Sequence, residues 1–156
     1  MKITPTRGGG LRIDAEEPGD WLLLKGIAHD AVSGDEKPAR RLGQLITDEE
    51  VAADWRDYVM PDLEAGFVAD VLHVTTAIAA ARFEAGDGPG PLWITREDAF
   101  PWYGTLNQAR LALEERFHFG GHESVDPADL LPVPRAAFLR SHLYCAIQSL
   151  LLEHAL

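Results

Sequence analysis

The sequence predicts an all-α fold, a single bundle-like domain of about five or six helices over residues 15–156, with a small N-terminal β hairpin or arm over residues 1–14. Three observations predict it. Apolar residues recur at three- and four-residue spacing through 61–85, 102–117 and 135–156. Helix-start signatures stand at Thr47-Asp-Glu-Glu50 and Thr95-Arg-Glu-Asp98. β-prone residues flank Gly8, Gly9 and Gly10, whose tolerance of positive φ suits a hairpin or an extended arm.

The first helix is expected over 17–32, with Pro18 in its first turn and Leu23, Leu24, Ile27, Ala28 and Ala31 on one face. A shorter helix follows over 38–45. Thr47 and Glu50 form a capping box for a helix running to Met60. Pro61 cannot donate a helical hydrogen bond, so it kinks the chain or starts a new helix. The helix over 61–85 is the longest, with Leu63, Phe67, Val71, Val74, Ile78 and Ala81 in one stripe. Val68, Thr75 and Ala79 widen that stripe, which suits packing on several neighbours. The run Gly86-Asp-Gly-Pro-Gly-Pro91 breaks the chain. A helix then carries Ala99, Trp102, Leu106, Leu113 and Phe117 on one face and ends at Gly120 and Gly121. A short helical turn is expected at Asp126–Asp129. The last helix begins near Arg135, with Leu139, Leu143, Ala146, Ile147, Leu150 and Leu151 on one face.

Composition narrows the function. The chain is 46% hydrophobic and 25% charged, which are globular values that argue against disorder. Its formal net charge of −11 makes it acidic and disfavours nucleic acid and anionic membrane surfaces as partners. The best basic cluster, Lys37, Arg40 and Arg41, is short and reads as a solvated helix end. No uninterrupted apolar run reaches about 18 residues, so no membrane span is expected. One cysteine, Cys145, allows no internal disulfide and sits in an apolar run as a small buried hydrophobe. With no signal peptide evident, a reducing cytoplasm is the expected location.

Residues Trp102, Leu106, Asn107, Arg110, Leu111, Leu113 and Arg116 fill the pattern Trp-x-x-x-Leu-Asn-x-x-Arg-Leu-x-Leu-x-x-Arg. This pattern resembles that of a bacterial, mostly actinobacterial, family of unknown function. The opening Arg7-Gly-Gly-Gly-Leu-Arg-Ile-Asp14 is similar to its N-terminal arm, and the closing helix with Gln148 to its last helix. The resemblance implies a link to proteolysis or sulfur-carrier pathways, since genes of that family lie near a protease adaptor, a metal-dependent peptidase and a sulfur-carrier protein. Pro101 and Gly104 depart from the pattern and imply irregular first turns in this helix.

The chemistry-bearing residues point to few reactions. At about 100° per residue, Arg110 falls at the edge of the Trp102/Leu106 face and needs a partner there. Glu64 lies within its own helix's apolar face, so a structural Arg110–Glu64 ion pair is favoured over an anion-binding arginine. The competing arrangement has Arg110, Asn107 and Tyr103 recognising a polar ligand. Asp70-x-x-His73 and Glu115-x-x-His118 have the spacing of bundle metal ligands. One motif uses the shorter Asp and the other points off its core face, so no metal site is expected. His118 and His122 are separated by two glycines and lack a general-base glutamate. No cofactor motif and no catalytic nucleophile stands out: the glycine run lacks a P-loop's Lys-Ser/Thr, and no Gly-x-Ser-x-Gly elbow occurs. His154 reads as a terminal packing or capping residue. Trp55 and Tyr58 share one helix at i, i+3 and are candidates for a protein contact, with a core role at least as good a fit. The expected function is therefore a non-enzymatic interaction or regulatory protein with a protein partner. The alternative is a small-molecule or metal-binding enzyme with a site between helices near Arg110. A homodimer is open to it through edge pairing of the N-terminal arm.

Overall fold

The computed structural model describes residues 1–35, 37–120 and 125–156. Strand β1 (Lys2–Pro5) and strand β2 (Gly10–Ala15) form the expected hairpin. Gly9 and Gly10 take φ values of 81° and 104°, which side-chain-bearing residues avoid. Gly10 is also required for space, because a Cβ there would lie 2.2 Å from the Ile94 carbonyl oxygen.

That contact comes from a third strand, β3 (Gly90–Thr95), which pairs antiparallel with β2. The fold is therefore mostly helical with a three-stranded sheet of order β1-β2-β3, which corrects the all-α expectation. The alternation that makes β3 is short: Leu92 and Ile94 point into the core, while Trp93 faces out under the Arg12 guanidinium at 5.1 Å. It lies between a Gly-Pro break and a helix start, both of which mask a strand. The hairpin is thus no free arm, because Leu11, Ile13 and Ala15 of β2 are buried with Leu92 and Ile94.

Helix α1 (Pro18–Ala31) buries Asp20, Trp21, Leu24, Ile27, Asp30 and Ala31. Its inner face is rotated from the expected one, leaving Leu23 exposed. Asp20 accepts the Glu16 amide at 2.8 Å at the helix start. Helix α2 is short (Pro38–Gly43). Helix α3 (Glu49–Asp54) is capped by Asp48, one residue after the expected Thr47, whose carboxylate accepts from the amides of Glu50 and Val51. A π-turn (Trp55–Val59) then leads without a break into α4 (Met60–Glu84). The extra residue in that turn lies just before Pro61 and gives its ring room against the preceding turn, so the proline neither breaks the run nor starts a separate helix.

Helix α5 (Ala99–Phe117) packs on α1, α4 and α6 (Pro132–His154) and is the hub of the fold. Pro101 falls in its first turn, where no intrahelical donor is needed. Gly104 is where the Asp70 carboxylate approaches, so a Cβ there would lie 2.9 Å from Asp70 Oδ2. Both departures from the family pattern therefore sit in regular helix, contrary to expectation. The turn before this start is tied by Asp98, whose carboxylate accepts from the amide and hydroxyl of Thr95, at 3.1 and 2.6 Å. The helix ends at left-handed His118. A single 3₁₀ turn (Pro127–Asp129) precedes α6. On α6 the buried residues include Phe138, Tyr144, Ile147, Gln148 and Leu151, while Leu139, expected inside, is exposed. Cys145 is half-buried.

One core cluster joins both faces of this arrangement, with Trp21, Trp102, Leu106, Tyr144 and Ile147 at its centre. Helix α4 is the exception to the packing. An 18-residue window within the continuous helical run Glu49–Glu84 reaches a mean hydropathy of 1.4, long and apolar enough to cross a membrane by composition alone, yet only 11% of that window is buried.

Candidate functional site

Helix α4 is apolar on most of its circumference but has neighbours on one side. Val74 and Ile78 are buried against the core. Val68, Leu72 and Phe83 are 68%, 64% and 87% exposed. Large apolar side chains exposed together on one helix mark a candidate contact surface.

A groove of about 240 Å³ opens between the end of α1, α2, the first half of α4 and α5. Ala31, Val32, Phe67, Val68, Val71 and Leu111 give it apolar walls. Two ion pairs stand on its rim: Lys37 Nζ lies 2.9 Å from Glu64 Oε2, and Arg41 Nη2 lies 2.8 Å from Glu115 Oε2. These pairs neutralise the charges that frame the groove, so what it offers a ligand is apolar surface. Gln108 also lines it, is only 6% exposed, and has no hydrogen-bond partner for Nε2. A buried amide N–H without an acceptor is costly, and a bound carbonyl would relieve it. Among the described residues no Ser, Cys or His lines the groove. Its chemistry is that of binding, with one directional hydrogen bond inside an apolar cleft.

The residues singled out from sequence divide as follows. Arg110 does not pair with Glu64. Its Nη1 donates to Gln148 Oε1 at 2.6 Å, and Gln148 Nε2 in turn donates to the Tyr103 carbonyl at 3.3 Å. Glu64 sits on the α2 side of α4, within reach of Lys37, whereas Arg110 projects towards α6, so the expected ion pair is geometrically closed to both. Tyr103, Asn107 and Arg110 do share one side of α5, with Tyr103 and Arg110 joined through Gln148 and Asn107 exposed to solvent. The apolar groove is lined by other residues. Trp55 is half-buried against α2, where a Cβ on Gly43 would lie 2.8 Å from its Nε1, while Tyr58 is 74% exposed. Both lie within the π-turn, whose wider winding ends their shared i, i+3 face.

The metal-like spacings do not converge. His73 Nε2 lies 3.0 Å from Asp98 Oδ1, and Glu115 is taken by Arg41. Among the described residues no three His, Cys, Asp or Glu side chains gather as ligands. His122 lies outside the described residues. Of the basic cluster, Lys37 and Arg41 are tied to carboxylates and Arg40 is exposed.

Two polar features have no counterpart in the sequence reading. One is Gln108. The other is a buried triad in which Arg140 Nε and the Tyr144 hydroxyl both donate to Asp30 Oδ2, at 2.7 and 2.8 Å. Burial, with the Asp30 charge beside it, pushes the Tyr144 hydroxyl well above the usual phenol range. The Asp30 hydrogen bond raises Arg140 likewise, so Arg140 stays a cation and Tyr144 a neutral phenol. Its signal in the sequence was Gly26, a glycine inside a helix, where a Cβ would meet the Tyr144 hydroxyl at 3.1 Å.

No curated protein and no solved structure matches the chain. A family model does match, over residues 10–154, and covers strands β2 and β3, the groove, the triad and helices α1 to α6. The chain therefore belongs to DUF2017, a family described as a domain of unknown function.

Proposed function

We propose that this protein is a non-enzymatic interaction or regulatory protein that receives an apolar anchor of a protein partner in the groove between α1, α2, α4 and α5. The observation that carries this reading is Gln108, a buried side chain with an unpartnered Nε2 lining a cleft whose walls are otherwise apolar. An apolar side chain of a partner fills the cleft, and a backbone carbonyl beside it accepts from Gln108. The rim ion pairs then set the register by electrostatic complementarity. In this reading the protein works in a reducing cytoplasm, and the family's gene association makes proteolysis and sulfur-carrier pathways the first places to seek the partner.

The test is photo-crosslinking inside cells that naturally make the protein. A photoreactive residue replaces Val32 in the groove or, as control, Leu139 on α6; both positions are exposed. The groove position is expected to give one adduct of defined mass that the control does not. Leu111→Glu should abolish it while leaving the melting temperature within about 2 °C, as expected for a substitution at a surface position. The same adduct from Leu139, or an adduct that survives Leu111→Glu, would sink the proposal.

A further inference from the structure

The outward side of α4 carries a second pattern, separate from the groove. Ala65, Ala69, Leu72, Thr76, Ala79 and Phe83 are all exposed. At about 100° per residue they fall within about 60° of the line opposite Val74 and Ile78. Their spacing is 4-3-4-3-4, the repeat of a helix seam that faces another helix. Between Glu64 and Arg82 the only ionisable side chains are Asp70 and His73. Asp70 lies off this stripe, against Gly104, and His73 stands at its edge with its ring on Asp98. An uncharged seam on a chain of net charge −11 is a selective feature.

We propose that α4 of a second copy of this chain packs antiparallel on this stripe, about a two-fold axis near Val74. The spacing reads the same from either end, as a two-fold interface requires. Antiparallel pairing about residue 74 sets Ala65 opposite Phe83 of the second copy, Ala69 opposite Ala79, and Leu72 opposite Thr76. Each large side chain meets a small one. Parallel pairing would set Phe83 on Phe83 and Leu72 on Leu72, leaving gaps at the alanines. It would also align the acidic Asp54, Asp57 and Asp62 of the two copies, which antiparallel pairing separates. The alanines let the two axes approach to about 8 Å over about 27 Å of helix.

A lipid surface is the competing occupant of so apolar a helix. It fits less well. Helices that lie in a membrane interface carry Lys and Arg along their flanks, and here the one such residue within α4, Arg82, is paired with Asp87. The inner half of α4 is also fixed in the core through Val74 and Ile78.

Sedimentation velocity on the full chain over about 1–200 µM tests the proposal. A reversible monomer–dimer equilibrium is expected, with Kd on the order of micromolar for a single helix pair. Leu72→Glu should raise Kd at least about 100-fold without altering the circular-dichroism melt, because the side chain is exposed in the monomer. In a Cys145→Ser background, chains carrying Ala69→Cys and chains carrying Ala79→Cys should cross-link on mixing under mild oxidation, and neither should do so alone. A monomer at every concentration, a dimer indifferent to Leu72→Glu, or cross-linking of Ala69→Cys chains to themselves would overturn it. So would flotation of the wild-type monomer with anionic vesicles, lost in Leu72→Glu. The seam and the groove are changed by different residues, so dimerisation and the Val32 adduct fail independently.

Discussion

Helices α4 and α6 are nearly equal in length, at 25 and 23 residues, and both are apolar on more than one side, yet the fold treats them in opposite ways. Helix α6 buries Ala137, Phe138, Ser141, Tyr144, Ile147, Gln148 and Leu151. Helix α4 buries Val74 and Ile78. The difference is not hydropathy but the supply of partners. Asp30 on α1 accepts from Arg140 and Tyr144, and Arg110 on α5 donates to Gln148, so α6 is held by directed polar bonds inside apolar packing. The polar bonds of α4 are at its margins, Glu64 to Lys37 and His73 to Asp98. Its outer side has only the Thr76 hydroxyl's bond to the Leu72 carbonyl within the helix and, among the described residues, none to another element, and that is the side on which the second copy is proposed to pack. A helix can be fully apolar and only half committed to its own fold.

The largest effect should come from removing the bond that most separates the two helices. Asp30→Ala leaves a half-buried guanidinium and a buried hydroxyl without their shared acceptor. The expected loss is about 3 kcal/mol of unfolding free energy, read from urea denaturation. Tyr144→Phe should cost less, about 1 kcal/mol, because Arg140 keeps its carboxylate. If Asp30→Ala cost no more than a surface change, α6 would be held by packing alone and the contrast with α4 would collapse.

A smaller effect sharpens the same contrast at the other end of α6. Gln148→Leu keeps the volume but removes the acceptor of Arg110 and the donor to the Tyr103 carbonyl. The expected cost is about 1–2 kcal/mol, with faster amide exchange in the second half of α6. An unchanged stability would return Arg110 to the role of a ligand-binding residue.

How legible this was depended on how local the signal is. The inner stripe of α4 and the Trp102, Leu106 and Leu113 face of α5 were readable because helical periodicity repeats over many residues. The hairpin was readable because three glycines mark it. β3 was not, since Leu92, Trp93 and Ile94 alternate over too few residues to stand out beside Pro91 and Thr95. The periodicity of α4 gave the right residues but the wrong inference about its neighbours: breadth of an apolar face says that it must be covered, not by which molecule. Asp30 and Gln108 escaped because one polar residue beside an apolar stripe looks like the start of a polar face. The usable clue was glycine inside a helix. Gly26 admits the Tyr144 hydroxyl and Gly104 admits the Asp70 carboxylate, so each marks where a polar tip from another helix comes close.

The smallest effect concerns that last contact, where α4 meets the helix at the hub of the fold. Burial pushes the Asp70 carboxyl above its ordinary range, and the nearby His73 only partly offsets this. Asp98, a neighbour of the same histidine, goes the other way: burial raises it, but the Thr95 hydroxyl and amide and His73 together reverse the shift and leave it low. The two carboxylates therefore have opposite linkage to folding. For Asp70 the folded state binds the proton more tightly than the unfolded chain, so its contribution is most favourable at low pH and is lost as pH rises through its folded-state pKa. For Asp98 the unfolded chain binds the proton more tightly, so its contribution is present above the ordinary Asp range, about pH 4, and is lost as pH falls through its lowered folded-state pKa. Asp70→Asn should thus raise stability at pH 7 by a few tenths of a kcal/mol, roughly the scale of a surface change, and the gain should vanish near pH 3. Asp98→Asn should lower stability at pH 7, with its deficit shrinking over the same descent. Thermal melts of the two variants between pH 3 and pH 7 should diverge from the wild type in opposite directions. Parallel curves would mean that His73, and not burial against Gly104, governs the charge at this end of α4.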